Sequence, residues 1–318
     1  MLRLVLLLLT ALVACVAFPS GKVAHQRSLR SVVGKQTLLA SALSTGLESV
    51  VEVDAYPDGE RLLYLDDDLL IYDKPPNVLS VPGLCDKASL VGSIAQRFKM
   101  DRVGTCTPFL PFVLVYTHSL LRINRITSHT DQMVVHRLDY ATSGVIVFAR
   151  HVAALKALHT QFRRKEVHKL YKAVVCVGAG AAGARLPALA GEVTLPILRD
   201  AARGPPFMCV RDPDGIGKPS LTVWRADTVD SVGSSGCDSD SGPSLALLSM
   251  QPRTGRTHQL RVHAAAVGLP MLGDTFYAPP HVADLAPRLL LHAERISFVH
   301  PFTGLPLVVT APCPFRLR

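Results

Sequence analysis

Arg137 and Asp139 lie two residues apart in a short polar segment, just ahead of an apolar run at residues 144–149 that is rich in β-branched side chains. Such a run is typical of a strand that is covered on both faces. Thr142, which precedes it, favours a turn. A charged pair held in this way at the rim of a sheet makes Asp139 the first candidate for chemistry, although most isolated Arg-x-Asp pairs are solvated turn residues.

Tyr171 lies in residues 168–177, which alternate as in a strand. A tyrosine in a strand is most often a core residue. Residues 151–166, just before this strand, carry apolar side chains at helical spacing and end in a basic cluster. This pattern predicts a helix that leads into the strand of Tyr171.

Three cationic or titratable side chains, Arg256, His258 and Arg261, follow a turn that contains glycine. We expect this turn to lead into a helix that presents all three side chains. Taken alone, side chains of this kind at such spacing most often form the solvated face of a helix. The remaining segments of the chain change that interpretation.

The segments resemble the motifs of the RluA-type pseudouridine synthases. His-Arg-Leu-Asp at 136–139, followed by Thr-Ser-Gly, is similar to the core motif of that family, and the Lys-Pro-Pro turn after residues 69–72 is similar to its first motif. Further resemblances occur in one order, and the likeness covers about residues 60 to 315. The other similar segments are residues 168–173, 217–222, 253–263, 268–277 and 289–294.

The resemblance implies an α+β fold with a mixed, largely antiparallel sheet, flanking helices and a central catalytic cleft. One residue departs from the family pattern: Asn77 stands where glycine is usual. Asparagine is the next-best residue for a left-handed turn, so we expect the turn to be preserved.

The resemblance also implies the isomerisation of uridine to pseudouridine in RNA, with Asp139 as the catalytic carboxylate. Asp139 would act either as a nucleophile or as the base that removes the 2′ proton, and the sequence leaves both roles open. Arg261 would contact Asp139 and keep it ionised, and Tyr171 would stack on the uracil. The reaction requires no outside group, so no cofactor is expected.

Arg137 is expected to fill the space that an extruded uridine leaves in a stem-loop, while His136 supports the turn. Lys172 lies in the basic cluster that we expect to contact the RNA backbone. The net charge of the chain is +9, of which residues outside the first fifty carry +5, and this balance suits phosphate contacts. The residues predicted to bind RNA are Arg137, Arg163, Arg164, Lys165, Lys169, Arg256 and His258.

Two other functions stay open on the sequence alone. One is a non-catalytic RNA chaperone that keeps the cleft, and the other is a nucleoside hydrolase that uses Asp139. A single carboxylate without a partner that activates water is an incomplete hydrolytic set. None of the seven cysteines forms Cys-x-x-Cys and the histidines show no zinc-ligand spacing, so no metal site is expected.

Residues 1–50 are interpreted as a targeting presequence, with a signal peptide at 1–17 followed by a basic, transit-like segment without acidic residues up to position 46. Residues 56–318 would form the catalytic domain. Within it, residues 103–133 form an atypical insertion, either a genuine lid or a retained intron, and residues 230–244 form a solvated loop between strands. No S4-type RNA-binding domain is expected.

The presequence resembles the bipartite leaders of algae with secondary plastids, in which phenylalanine follows the cleavage site, as Phe18 does here. The expected location is therefore the plastid, with the mitochondrion or the secretory pathway as alternatives. Scattered cysteines favour a reducing compartment. The expected partners are rRNA or tRNA stem-loops, with no DNA, no stable membrane association after processing, and a monomeric protein.

Overall fold

The architecture is that of a computed structural model, which describes residues 51–53, 61–82, 89–97, 133–178, 186, 188–210, 215–230 and 244–317 within the compact unit Leu38–Arg318. The strands are β1 (Val51–Val53), β2 (Leu62–Leu65), β3 (Leu69–Lys74), β4 (Ser143–Ala149), β5 (His168–Val177), β6 (Ala190–Val193), β7 (Leu198–Arg199), β8 (Met208–Cys209), β9 (Thr222–Asp230), β10 (Ser244–Pro252), β11 (Leu291–Val299), β12 (Pro306–Thr310) and β13 (Phe315–Leu317). The helices are α1 (Leu90–Arg97), α2 (Val152–Arg164), α3 (Gln259–Ala266) and α4 (Pro280–Ala283).

A nine-stranded sheet organises the described part of the chain. Its order is β2-β3-β4-β11-β5-β10-β9-β6, and β12 pairs with β11. The pairing of β4 with β11 is parallel, and the other pairings are antiparallel. The sheet is therefore mixed and largely antiparallel, and with its flanking helices it confirms the α+β fold.

Strand β4 lies in the interior of this sheet and is buried along its whole length, as its apolar sequence predicts. Val145 and Val147 pack on one face with Leu158 of α2, which is also fully buried. Ile146 and Phe148 pack on the other face with residues of α1. Because both faces are covered, the turn that precedes β4 is anchored to a rigid element.

Two turn positions have positive φ, for different reasons. Asn77 has φ 59°, which confirms the expectation that asparagine serves in place of glycine in the turn after β3. Gly144 has φ 111°, and a Cβ placed on it would lie 2.2 Å from the carbonyl oxygen of Ala293. At Gly144 the parallel strands β4 and β11 approach too closely for any side chain.

The helix predicted to present three cationic or titratable residues begins later than expected. Helix α3 starts at Gln259, so Arg261 lies on it but Arg256 and His258 lie in the preceding turn. Among the described residues, no helix combines the length and the apolar character needed to cross a membrane. The presequence at 1–50, the insertion at 103–133 apart from Met133, and the loop at 231–243 lie outside the described residues.

Candidate active site

The turn before β4, strand β5 and the start of α3 enclose a cleft of about 610 Å³, which is within the size range of ligand sites in proteins. The cleft brings together side chains that are distant in the sequence. Asp139, Tyr171 and Arg261, the three residues expected to carry out catalysis, all line it. Of the residues expected to bind RNA, Arg137, Lys169, Arg256 and His258 line it as well.

The backbone on both sides of Asp139 is fixed by side chains from another part of the chain. Ser80 donates a hydrogen bond from Oγ to the carbonyl of Leu138 at 2.8 Å and accepts one from the Leu138 N–H at 3.2 Å. Lys74 donates from Nζ to the carbonyl of Tyr140 at 3.1 Å. Asp139 also closes its own turn, because its carbonyl accepts from the Thr142 N–H. The carboxylate therefore projects from a pre-organised turn.

Lys74 is fully buried, and its ammonium also donates to the carbonyls of Pro75 and Val78. Burial lowers the pKa of Lys74 to about 7, and the nearby carboxylates of Asp139 and Asp73 oppose that change. Three carbonyl acceptors match the three donors of an ammonium group. In the sequence, Lys74 is noticed only as part of the Lys-Pro-Pro motif. Its position at the end of an apolar strand is the signal that could have identified it.

Arg261 forms no hydrogen bond or ion pair with Asp139, although the resemblance implies that the two side chains are in contact. Its guanidinium instead donates to Asp274, from Nε at 2.9 Å and from Nη2 at 2.5 Å, and both residues are buried. Burial alone would lower the pKa of Arg261, but the hydrogen bonds to Asp274 and the charges of Asp274 and Asp139 raise it. Arg261 therefore acts on Asp139 through its charge, while Asp274 fixes its position.

Tyr171 lies on β5 and is a neutral phenol. Burial, and secondarily the charge of Asp139, raise its pKa well above the ordinary value. Its ring packs against two hydrophobic clusters of the core and also lines the cleft. The tyrosine is thus both a core residue and part of the cleft wall, where a flat base could lie against it.

His136 supports the turn that carries Asp139. Its Nε2 accepts a hydrogen bond from the Val147 N–H at 3.1 Å, and its ring stacks on Phe162 with centroids 5.4 Å apart. Burial, with a smaller contribution from Lys169, lowers the pKa of His136 to about 3. The imidazole therefore stays neutral, as the acceptor role requires.

Two cations in the cleft have no carboxylate partner among the described residues. Arg137 is exposed, and Lys169 is partly buried with its ammonium 5.9 Å from the centroid of the Phe162 ring. Burial lowers the pKa of Lys169. Cations that no acidic residue of the protein neutralises are available to phosphate groups.

A second groove of about 400 Å³ continues the cleft past Phe162. Arg163 and Lys165 line it from the end of α2, and Arg253 and Arg256 line it from the other side. Arg256 also donates to the carbonyl of Pro219 at 3.2 and 3.3 Å, which fixes its guanidinium at the groove. The groove is a basic channel that leads away from Asp139.

Two basic residues near this groove take part in ion pairs. Arg164 is exposed and lies 3.9 Å from Glu166. Lys172, which the sequence analysis assigned to RNA contact, forms ion pairs with Asp227 at 2.7 Å and Glu294 at 3.8 Å. Lys172 follows Tyr171 directly, and successive side chains of a strand point to opposite faces, so Lys172 faces away from the cleft.

A further group of titratable side chains lies at the other end of β4. Asp66, Asp68 and His300 place one ligand atom each within 4.8 Å of one another. Nδ1 of His300 accepts from the N–H groups of Phe302 and Thr303, so Nε2 carries the proton that it donates to Asp66 at 2.9 Å. A metal ion at Nε2 would require the ring to lose that proton. Hydrogen bonds therefore explain why these three side chains lie close together.

Comparison with known proteins identifies relatives of this chain. Residues 68–266 match the family described as RNA pseudouridylate synthase. The chain is 34% identical over 263 residues to the dual-specificity RNA pseudouridine synthase RluA of Pasteurella multocida, covering 82% of this chain and 95% of that protein. It is 35% identical over 254 residues to the protein of the same name from Escherichia coli K12, covering 80% of this chain and 93% of that protein.

Two solved structures share the fold. Human RNA pseudouridylate synthase domain containing 1 aligns with a TM-score of 0.57 at 23% identity, covering 85% of this chain and 86% of that chain. Human RNA pseudouridylate synthase domain containing 4 aligns with a TM-score of 0.50 at 22% identity, covering 80% of this chain and 88% of that chain. At this level of identity the likeness concerns the fold.

Proposed function

The chain belongs to the RluA-type family of RNA pseudouridine synthases, and from that membership we propose that its targets are uridines in structured rRNA or tRNA and that Asp139 is its catalytic carboxylate. The enzyme is an isomerase that acts on RNA. The relatives are named for dual specificity. We propose that the targets of this chain likewise lie in rRNA, in tRNA or in both.

The reaction breaks the bond from N1 of uracil to C1′ of ribose, rotates the base and forms a bond from C5 to C1′. The hydrogen on C5 leaves as a proton and N1 ends with a proton, so the product is an isomer of the substrate. Asp139 would act at the ribose, as nucleophile or as base at the 2′ position. Arg261 would place its positive charge near Asp139, and Tyr171 would support the detached base.

The fixed position of Asp139 carries this proposal. Its neighbours are bonded to Ser80 and Lys74, while among the described residues its own carboxylate forms no hydrogen bond or ion pair with a side chain and faces a cleft lined by cations. A carboxylate that only stabilised the fold would have such a partner. A carboxylate held in place without one is available to a substrate.

The test is tritium release from RNA that contains uridine labelled at C5. Asp139→Asn should reduce release to background and leave RNA affinity within about threefold, because the amide keeps the size of the side chain but cannot act as nucleophile or base. Asp67→Asn, an exposed change near the other end of β4, should leave both unchanged. Turnover by Asp139→Asn would defeat the assignment.

The cations would hold the RNA backbone. Arg137 and Lys169 would contact the target region, while Arg163, Lys165 and Arg256 would bind phosphates of the strand that continues along the groove. Arg164, exposed at the end of α2, would add to the same field. Since all three proposed catalytic residues come from one chain, we propose that the enzyme is a monomer, with no DNA partner and no stable membrane association after processing.

We also propose that residues 1–50 direct the protein to a plastid and are removed there. The support is compositional: an apolar segment ending near residue 17, then a basic, serine-containing segment without acidic residues. A fusion of residues 1–50 to a fluorescent protein, expressed in an alga with a secondary plastid, should accumulate in that organelle. Fluorescence in the mitochondrion or the secretory pathway would contradict the proposal.

A further inference from the structure

His258 occupies a backbone conformation that its side chain does not favour. It lies just before α3 with φ 54° and ψ 20°, in the left-handed region where glycine is usual. A residue in this position often uses its side chain to cap the helix, but His258 makes no such hydrogen bond. A residue in a strained conformation whose side chain does not cap the helix is a candidate for a role in binding or catalysis.

The surrounding turn holds His258 in this conformation. The buried amide of Gln259 accepts from Thr254 Oγ1 at 2.8 Å and from the Arg256 N–H at 3.0 Å, and it donates to the carbonyl of Leu221 at 2.9 Å. These bonds fix the segment on both sides of the imidazole. The side chain is thus positioned in the free protein before any substrate binds.

Tyr277 fixes the tautomer of the imidazole. Its hydroxyl lies 2.7 Å from Nδ1 of His258 and accepts from the Met208 N–H at 3.1 Å. Burial is the main reason why the pKa of Tyr277 is raised, so the hydroxyl keeps its proton. With the hydroxyl proton donated to Nδ1, the proton of the imidazole ring lies on Nε2.

Nε2 of His258 has no hydrogen-bond partner among the described residues. It is not one of the unpaired side-chain atoms of these residues that are shut off from solvent. The residue lines the cleft together with Asp139 and Tyr171. Burial lowers the pKa of His258, an effect that Arg261 reinforces and Asp139 opposes. The cleft therefore contains one neutral N–H donor in addition to its cations.

We propose that His258 donates a hydrogen bond from Nε2 to an oxygen of the target nucleotide and so positions that nucleotide against Asp139. This inference rests on the proposed function, because it takes the cleft as the place where the target nucleotide lies. The acceptor is a carbonyl oxygen of uracil or an oxygen of the adjoining phosphate. Both accept from a fixed neutral N–H group.

Substitution by glycine separates this role from a structural one. His258→Gly relieves the backbone strain but removes the hydrogen bond to Tyr277 and the ring contact with Phe276, so these effects oppose each other and the melting temperature should stay close to that of wild type. Tritium release should nevertheless fall about five- to tenfold in kcat/KM, which corresponds to the loss of one hydrogen bond. His258→Asn, which also tolerates the left-handed conformation but is too short to reach the substrate, should show the same loss.

Three controls complete the experiment. His281→Asn, at an exposed histidine of α4, should leave both activity and melting temperature unchanged. Tyr277→Phe should reduce kcat/KM about threefold, because Nδ1 loses the donor that keeps the proton on Nε2. Wild-type enzyme that releases no tritium would refute the proposed function, whereas full activity in the Gly and Asn variants would refute the role of His258 alone.

Modified RNAs identify the acceptor. We would compare wild type and His258→Asn on RNA that carries 2-thiouridine, 4-thiouridine or a methylphosphonate at the adjoining phosphate. The modification that removes the acceptor should eliminate the difference between the two proteins, as in a double-mutant cycle. A difference of unchanged size on all three RNAs would overturn the proposal.

Discussion

Arg261 is bound at two points by Asp274, and among the described residues its guanidinium forms no ion pair with Asp139. Asp274 accepts two further hydrogen bonds, from the N–H groups of Phe276 and Tyr277, so its carboxylate is saturated. The guanidinium also lies over the rings of Phe276 and Tyr277, at 4.9 and 5.1 Å from their centroids. The charge of Arg261, which acts on Asp139, is thus held in place by a second carboxylate.

Removing the charge of Asp274 should destabilise the protein and reduce its activity. Asp274→Asn leaves the guanidinium of Arg261 buried without a counter-charge, which costs about 3–5 kcal/mol in comparable buried pairs. Urea unfolding measures this loss. Glu166→Gln, which breaks the exposed pair with Arg164, should cost less than about 1 kcal/mol. Equal costs in the two variants would contradict the structural role of Asp274.

Replacing Gly144 should be among the most damaging changes in the sheet. In Gly144→Ala the new Cβ would lie 2.2 Å from the carbonyl oxygen of Ala293, on a residue with φ 111°. The strands would have to separate, and we expect a loss of at least about 4 kcal/mol in the free energy of unfolding. The control is Gly255→Ala, where nothing lies within 4 Å of the new Cβ. A melting temperature close to that of wild type for Gly144→Ala would disprove the close approach.

His292 should make the fold sensitive to acid. The ring is fully buried between Ser143 Oγ at 2.9 Å and the carbonyl of Ala311 at 3.0 Å, and burial lowers its pKa to about 4. The unfolded chain takes up this proton near pH 6.5 and the folded chain only near pH 4. The free energy of unfolding should therefore fall as the pH drops through this window, by about 2 kcal/mol at pH 5 from this residue.

Urea unfolding of wild type and His292→Gln at pH 6.5 and pH 5.0 tests this assignment. The variant should be less stable at both values, since glutamine does not reproduce both hydrogen bonds of the ring. Its loss between the two pH values should, however, be smaller than that of wild type by about 1.6 kcal/mol. Parallel losses in the two proteins would show that His292 is not the titrating group.

Arg137 should matter most when the target uridine is stacked. The side chain is exposed, lines the cleft and has no ion pair in the described part of the protein. If it replaces the extruded base, Arg137→Ala should reduce kcat/KM more than about tenfold on a stem-loop, where extrusion costs a few kcal/mol, and less than about threefold on RNA with the uridine already unpaired. Arg295→Ala, on β11, is the matched control. Equal losses on both RNAs would argue against this role.

The sequence predicts the local elements of this protein well. The strand predicted at 168–177 corresponds to β5, and the helix predicted from 151 to 166 corresponds to α2. Both rest on periodicity, which depends only on neighbouring residues. The alternation of side chains along a strand also predicts that Lys172 lies on the face opposite Tyr171. The sequence could therefore have shown that Lys172 does not belong with the residues expected to contact RNA.

The partners of the site residues could not be predicted in the same way. Ser80 and Lys74 meet the turn that carries Asp139 across 58 and 66 residues of sequence, and no local pattern encodes such pairings. The turn before α3 was mistaken for helix, because its histidine adopts a conformation that normally calls for glycine. In both cases tertiary contacts determine the conformation.

The hydrogen bonds from Ser80 and Lys74 to the backbone around Asp139 also bear on how this gene can change. They define the position of the carboxylate relative to the end of β3. That position does not depend on the number of residues between the two segments. In general, doubling the length of a loop costs only about 0.6 kcal/mol in closure entropy. Insertions or deletions between these anchors, such as at residues 103–133, should therefore leave the position of the Asp139 carboxylate unchanged.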